Sequence, residues 1–176
     1  MMSNKTVIIY ASVDGQTKKI CDKIRNILLS ENHAVEMISV NEGGIDFRHF
    51  GKIILASSIR YGKHHPKMIQ LISENSEKLN EKKSIFISVN LVARKPNKNS
   101  KDTNPYVAKF LTNSTWKPAI VGIFAGMLDY EKYSFTDALM IRLIMLLTKG
   151  PIYPKGPVEY TDWDRVHTFG KEISLL

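Results

Sequence analysis

Residues Thr6 to Thr17 read TVIIYASVDGQT, and the fold turns on how that stretch is parsed. Its first half, Thr6–Ala11, is a continuous apolar, β-rich run, the pattern of a strand buried on both faces. The run breaks at Ser12-Val13-Asp14-Gly15-Gln16-Thr17, a short polar turn with a single glycine. Past the turn, Ile20, Cys21, Ile24, Ile27 and Leu28 recur at helical spacing, predicting a helix that ends near Ser30 and buries one face. Cys21 lies on that apolar stripe and reads as a small buried residue rather than a reactive thiol. A doubly buried strand, a tight turn and an amphipathic helix together make the opening of a βαβ unit.

The alternation continues outward. Ala34–Val40, Lys52–Ser57, Ser84–Val89 and Ile120–Ala125 read as four further short strands. Pro66 suits a helix first turn, and Met68, Ile69, Leu71, Ile72 and Leu79 carry the apolar face that follows. Asn104-Pro105 reads as an N-cap and first-turn proline opening a helix through Leu111. Thr161-Asp162-Trp163-Asp164 predicts a threonine-capped closing helix with Trp163, Val166, Phe169 and Ile173 inward. The expectation is one doubly wound α/β domain over 1–176, with a parallel sheet between two helical layers. Two segments exceed that plan: the polar, basic stretch Leu91–Thr103 and a long insert over about 127–160. The insert holds a helix candidate, Ser134–Lys149, whose run Ala138–Leu147 is apolar except for Arg142. Met140 and Met145 within it read as core.

Composition agrees with a globular core. The chain has 176 residues, 43% apolar and 24% charged, close to ordinary globular proportions. The lone Cys21 excludes an internal disulfide and fits a reducing compartment. The apolar run before Asp14 is too short for a signal-peptide core, and no run of apolar residues is long enough to span a bilayer. Twenty-five basic against 17 acidic side chains leave a net charge of +8. Such an excess points to an anionic partner, either a phospholipid surface or a carboxylate-bearing substrate. Nucleic acid is not expected, because no recognition helix or interleaved basic–aromatic surface appears.

In open parallel sheets, ligands bind at the carboxyl ends of the strands. After the first strand, Ser12, Val13, Asp14, Gly15, Gln16 and Thr17 set hydroxyls and backbone N–H groups at a helix N-terminus, the recipe for holding a phosphate. Neither GxGxxG nor a Walker loop is present. Asp14 would repel a dianion unless it turns away to brace the loop. After the third strand come Ser58, Ile59, Arg60, Tyr61 and Gly62, offering charge and an aromatic face to a planar ligand. After the fourth come Asn90, Leu91, Val92, Ala93 and Arg94, whose amides suit the edge of a heteroaromatic ring. No metal is expected.

These three loops resemble those of the flavodoxin-like flavoproteins. More specifically, Ser57-Ser58-Ile59-Arg60-Tyr61-Gly62 with His65, the run SVNLVARKP (Ser88–Pro96) and the late Tyr160-Thr161-Asp162-Trp163 resemble the bacterial menaquinone-dependent protoporphyrinogen IX dehydrogenase family. The likeness spans essentially the whole chain. It implies a five-stranded sheet of order 2-1-3-4-5 and a bound FMN, its phosphate on residues 12–17 and its ring between the 58–62 and 90–94 loops. One departure stands out: typical flavodoxins carry Thr-x-Thr-Gly-x-Thr, and here Asp14 takes the second hydroxyl's place.

The resemblance further implies oxidation of protoporphyrinogen IX, six electrons in three flavin cycles, with menaquinone or another quinone as acceptor, in haem biosynthesis. A flavodoxin-fold NAD(P)H:quinone reductase and a single-electron flavodoxin are the competing readings. Tyr61 and His65 are the candidates for a catalytic side chain, and none is assigned. Arg94, Lys95, Lys98 and Lys101 either pair with substrate propionates or form a solvated loop. The apolar helix at 134–149 is expected to lie on an anionic membrane surface, with Lys132, Arg142, Lys149 and Lys155 near headgroups. That would place the protein peripherally on the cytoplasmic face of the plasma or inner membrane. A homo-oligomer interface or the core is the alternative cover for that helix.

Overall fold

A computed structural model describes residues 5–176. Residues 1–4, part of the stretch read above as too short for a signal peptide, lie outside the described residues. The element order is β1 (Lys5–Ala11), α1 (Gln16–Ser30), β2 (Ala34–Ser39), β3 (Lys52–Arg60), β4 (Lys63–His64), α2 (Pro66–Asn80), β5 (Lys83–Val89), α3 (Pro105–Asn113), β6 (Ile120–Phe124), β7 (Met127–Leu128), α4 (Phe135–Leu147), β8 (Val158–Glu159) and α5 (Trp163–Leu175).

β2, β1, β3, β5 and β6 form a parallel sheet in that order, which is the expected 2-1-3-4-5 arrangement of the five long strands. The central strands are doubly buried, as their unbroken apolar runs require. One layer packs Ile8, Ile54, Ile85 and Ile87 against Ile20, Ile24 and Leu28 of α1 and Val166 and Ile173 of α5. The opposite layer packs Val7, Ile53, Leu55 and Phe86 against Met68, Ile72 and Leu79 of α2 and Trp116. Cys21 is wholly buried in the first layer, and burial raises its thiol pKa far above the usual range.

Three local expectations need correction. β3 runs on to Arg60 instead of stopping at Ser57, because it turns back on itself. Tyr61 (φ 51°) and Gly62 (φ 74°) form a two-residue hairpin turn that pairs Ile59 with His64 and Arg60 with Lys63. Two successive left-handed residues match the right-handed twist of the flanking strands. The closing helix is capped by Asp162, whose carboxylate accepts from the Arg165 N–H, and not by Thr161. Thr161 is buried and donates to the Ala125 carbonyl instead. In α4, Met145 is buried as expected, whereas Met140 is 43% exposed.

Candidate functional site

The carboxyl ends of β1, β3 and β5 open into one cleft of about 860 Å³, its open mouth included. Ser12, Asp14, Gln16 and Thr17 line its floor end. Ser58, Ile59, Arg60, Tyr61 and Gly62 form one wall, and Asn90, Leu91 and Val92 the other. The three loops singled out in the sequence therefore converge. Of the expected residues, Val13, Gly15, Ala93 and Arg94 do not line the cleft.

Asp14 behaves as a brace. Both of its carboxylate oxygens accept from Arg60 Nη2 at 3.0 Å, which turns the acid away from the loop's donors. Arg60 Nη1 donates to Asp137 Oδ2 at 2.8 Å, so one guanidinium ties the first loop to α4. Tyr61 Oη donates to the other oxygen of Asp137, and Ser134 Oγ donates to Oδ2 while capping α4. The Tyr61 and Ser134 hydrogen bonds hold the Asp137 carboxyl below its ordinary pKa, and the same bond raises that of Tyr61.

The side chain of Asn90 is spent on the protein. Its Oδ1 accepts from the Ala93 N–H at 3.1 Å and from Asn104 Nδ2 at 3.0 Å, and its Nδ2 donates to Ser88 Oγ. It holds the loop in shape, leaving backbone groups to face the cleft. Arg94 points elsewhere. It donates to the Leu91 carbonyl and to Thr148, lies over the Tyr160 ring, and so fastens the loop after β5 to the end of α4. Lys95, Lys98 and Lys101 stand away from the cleft on the same segment. His65 is outside it as well, as the N-cap residue of α2, its backbone N–H donating to Ser57 Oγ.

Sequence reasoning missed the roof. Tyr133, Asp137, Met140, Ile141 and Ile144 close the cleft from above, with Tyr106, Gly126 and Met127 at its sides. The spacing 137, 140, 141, 144 is one helical face with a single acid on it, a signal available in the sequence. The opposite face of α4 is bare: Phe135, Leu139, Leu143, Leu146 and Leu147 are 51 to 84% exposed. Arg142 does not reach outward with them. It stacks between Tyr130 and Tyr153, 5.2 and 4.8 Å from their ring centroids.

A doubly wound sheet with a phosphate-type loop and two ring-flanking loops at its carboxyl edge defines the flavodoxin class. A flavodoxin domain model matches residues 7–153. An archaeal flavodoxin structure superposes with a TM-score of 0.56 over 97% of this chain and 96% of that one, at 17% identity. Closer in sequence, a protein of Escherichia coli K12 named protoporphyrinogen IX dehydrogenase [quinone] is 36% identical over 98% of this chain and 96% of its own length. A Leishmania major protein of the same name is 36% identical over 99% of this chain and 76% of its own length. The chain belongs to the protoporphyrinogen IX dehydrogenase [quinone] family.

The residues present fit FMN, the cofactor of this class. α1 starts after Gly15 (φ 90°), and no side chain closes its first turn, which leaves the helix N-terminus to an anion. Gln16 anchors its amide nitrogen on Glu159 and Thr161 at 2.7 and 2.8 Å. Its Oε1 is buried beside the cleft with no partner, an acceptor suited to the hydroxyls of a ribityl chain.

Proposed function

We propose that this chain is an FMN-dependent oxidoreductase of porphyrin and haem biosynthesis that converts protoporphyrinogen IX to protoporphyrin IX and delivers the electrons to a quinone, menaquinone in its own membrane. The observation that carries this reading is the 36% identity with dehydrogenases of that name over 98% or more of this chain, a span that includes the insert that roofs the cleft. Bound FMN supplies the two-electron redox chemistry, and the protein supplies position and environment.

Ser12, Gln16 and Thr17, with the first-turn N–H groups of α1, would hold the phosphate and ribityl end. Asp14, its carboxylate turned onto Arg60, stiffens that loop from the side away from the phosphate donors. The walls Ser58–Gly62 and Asn90–Val92 would flank the ring with backbone groups. Met140, Ile141 and Ile144 keep the mouth apolar and so limit water at the reacting edge. Removing six electrons from the substrate takes three two-electron rounds, so the quinone must exchange between rounds.

The exposed face of α4 supports a working position on an anionic membrane, the cytoplasmic leaflet of the plasma or inner membrane. A row of large apolar side chains on one helix is unusual for a solvated surface. α4 is too short to cross a bilayer, and no helix among the described residues is long and apolar enough to do so. Lying flat, it would place the cleft it roofs within reach of a lipid-dissolved quinone, and the basic chain would favour anionic headgroups.

Anaerobic incubation of the FMN-loaded protein with protoporphyrinogen IX and detergent-dispersed menaquinone tests the activity. Porphyrin fluorescence should rise with the quinone and stay at the enzyme-free level without it. A flat trace accompanied by rapid NADPH oxidation would replace this reading with an NAD(P)H:quinone reductase.

A further inference from the structure

A second groove, of about 1180 Å³ with its open mouth included, lies on the other side of the Tyr61-Gly62 turn from the cleft. The two cavities share Tyr61, Gly62 and Tyr106 as a common wall. That wall is thin: a Cβ on Gly62 would sit 3.4 Å from the Tyr106 ring. Ile69 and Ile72 of α2 and Tyr106 and Phe110 of α3 supply the groove's apolar surface. Two lysines rim it, Lys63 on β4 and Lys109 on α3, and no acidic side chain lines it. Neither lysine forms an ion pair among the described residues, whereas Lys5, Lys18, Lys132 and Lys171 do.

An apolar, partly aromatic groove with two uncommitted ammonium groups fits a flat or saucer-shaped apolar body that carries two carboxylates. Resting on the function proposed above, we propose that this groove is the tetrapyrrole site: the macrocycle packs on Ile69, Ile72, Tyr106 and Phe110, and its propionates pair with Lys63 and Lys109. The two cavities adjoin along the Tyr61–Gly62–Tyr106 rim, and a macrocycle seated in the groove would react where it overhangs that rim and meets the flavin edge directly. The basic stretch after β5 is the rival location. It loses ground because Arg94 is consumed in holding Thr148, and because Lys95, Lys98 and Lys101 line neither cavity.

Titration of the FMN-loaded protein with protoporphyrin IX, followed by porphyrin fluorescence, tests the assignment together with KM values for protoporphyrinogen and quinone. Lys63→Gln and Lys109→Gln should each weaken porphyrin binding about fivefold, and the pair together about 20-fold, with a parallel rise in KM for protoporphyrinogen alone. Ser73→Trp, which fills the groove without touching its charge, should weaken binding at least as much. FMN content and the KM for quinone should not move. Protoporphyrin dimethyl ester, which has no carboxylates, should bind the wild type and the double lysine variant equally.

The triple variant Lys95→Gln, Lys98→Gln, Lys101→Gln should bind porphyrin like the wild type. Wild-type affinity in both the lysine and Ser73 variants, or loss confined to the triple variant, overturns the groove while leaving the enzymatic reading intact. A wild-type protein that neither binds porphyrin nor oxidises protoporphyrinogen overturns both.

Discussion

The sheet with its β1–α1 turn and the insert around α4 are both rich in long apolar runs, and they use them in opposite ways. In the sheet, Ile8, Ile54, Leu55, Ile85 and Phe86 are wholly buried between two helical layers. In α4, one face covers the cleft while Leu139, Leu143, Leu146 and Leu147 stand in the open. The same residue types are therefore structural in one region and left free in the other. Apolar sequence predicts burial in something; only topology says whether this chain provides the cover.

The sharpest way to break that contrast is truncation within the sheet. Phe86 touches His64, Phe110 and Trp116 ring to ring, at 5.1, 5.0 and 5.6 Å between centroids. Phe86→Ala should cost about 3–5 kcal/mol, by loss of transfer energy and by the void left between rings that cannot all close in. Chemical denaturation reads this directly; a loss below about 1 kcal/mol would mean that the sheet side is no better packed than the insert.

Next in size is a pH effect that belongs to the sheet side alone. His64 is buried between Phe86 and Phe110 with Nε2 against Ser88 Oγ at 2.9 Å, and burial lowers its pKa to about 4. The unfolded chain binds that proton at about 6.5. Stability is therefore complete above about pH 6.5 and falls as pH drops towards 4, where the folded state at last protonates too, a loss of about 3 kcal/mol in all. His64→Gln should flatten that slope. On the insert side Asp137 is shifted downward, so its stabilising contribution persists through this range and fades only as pH falls below the ordinary carboxylate value.

How far each region was legible follows from the same difference. The strands, α1, the Pro66 and Asn104-Pro105 helix starts and the three cleft loops could be read because periodicity and turn chemistry are local signals. The β3–β4 hairpin was missed because Tyr61-Gly62 lacks the Asn-Gly or Asp-Gly signature of its turn type. The capping role passed from Thr161 to Asp162 because the Thr161 hydroxyl was drawn into a buried bond with Ala125, a tertiary effect. Helix α4 itself was expected from Ser134 onward. Its role as roof was not, since the partners of Asp137 lie more than 70 residues away, at Arg60 and Tyr61. Arg94 reads as a ligand in sequence because nothing local announces Thr148 as its acceptor.

Asp137 is the hinge between the two regions, and its removal should uncouple them. Asp137→Ala frees Arg60 Nη1 and Tyr61 Oη and also strips Ser134 of its carboxylate partner. Amide exchange in α4 should then speed up by about tenfold while β1, β3 and β5 exchange as before. Equal acceleration in the sheet would show that α4 is an integral part of the core and not a roof tied on by polar side chains.

The smallest effect on stability is the most telling. Leu139→Ser, Leu143→Ser and Leu146→Ser exchange apolar for polar groups at positions already in solvent, so each should change folding free energy by no more than about 0.5 kcal/mol. The same three changes together should abolish flotation of the protein with vesicles containing anionic lipid, because they remove the apolar surface that an interfacial helix inserts. Flotation unchanged in the triple variant would sink the membrane reading. A wild-type protein that sediments as a dimer, and a triple variant that sediments as a monomer, would assign the bare face to a second copy of the chain instead. Either result separates the two uses of apolar sequence here, since a core substitution cannot leave stability untouched and a half-exposed leucine has little internal contact to lose.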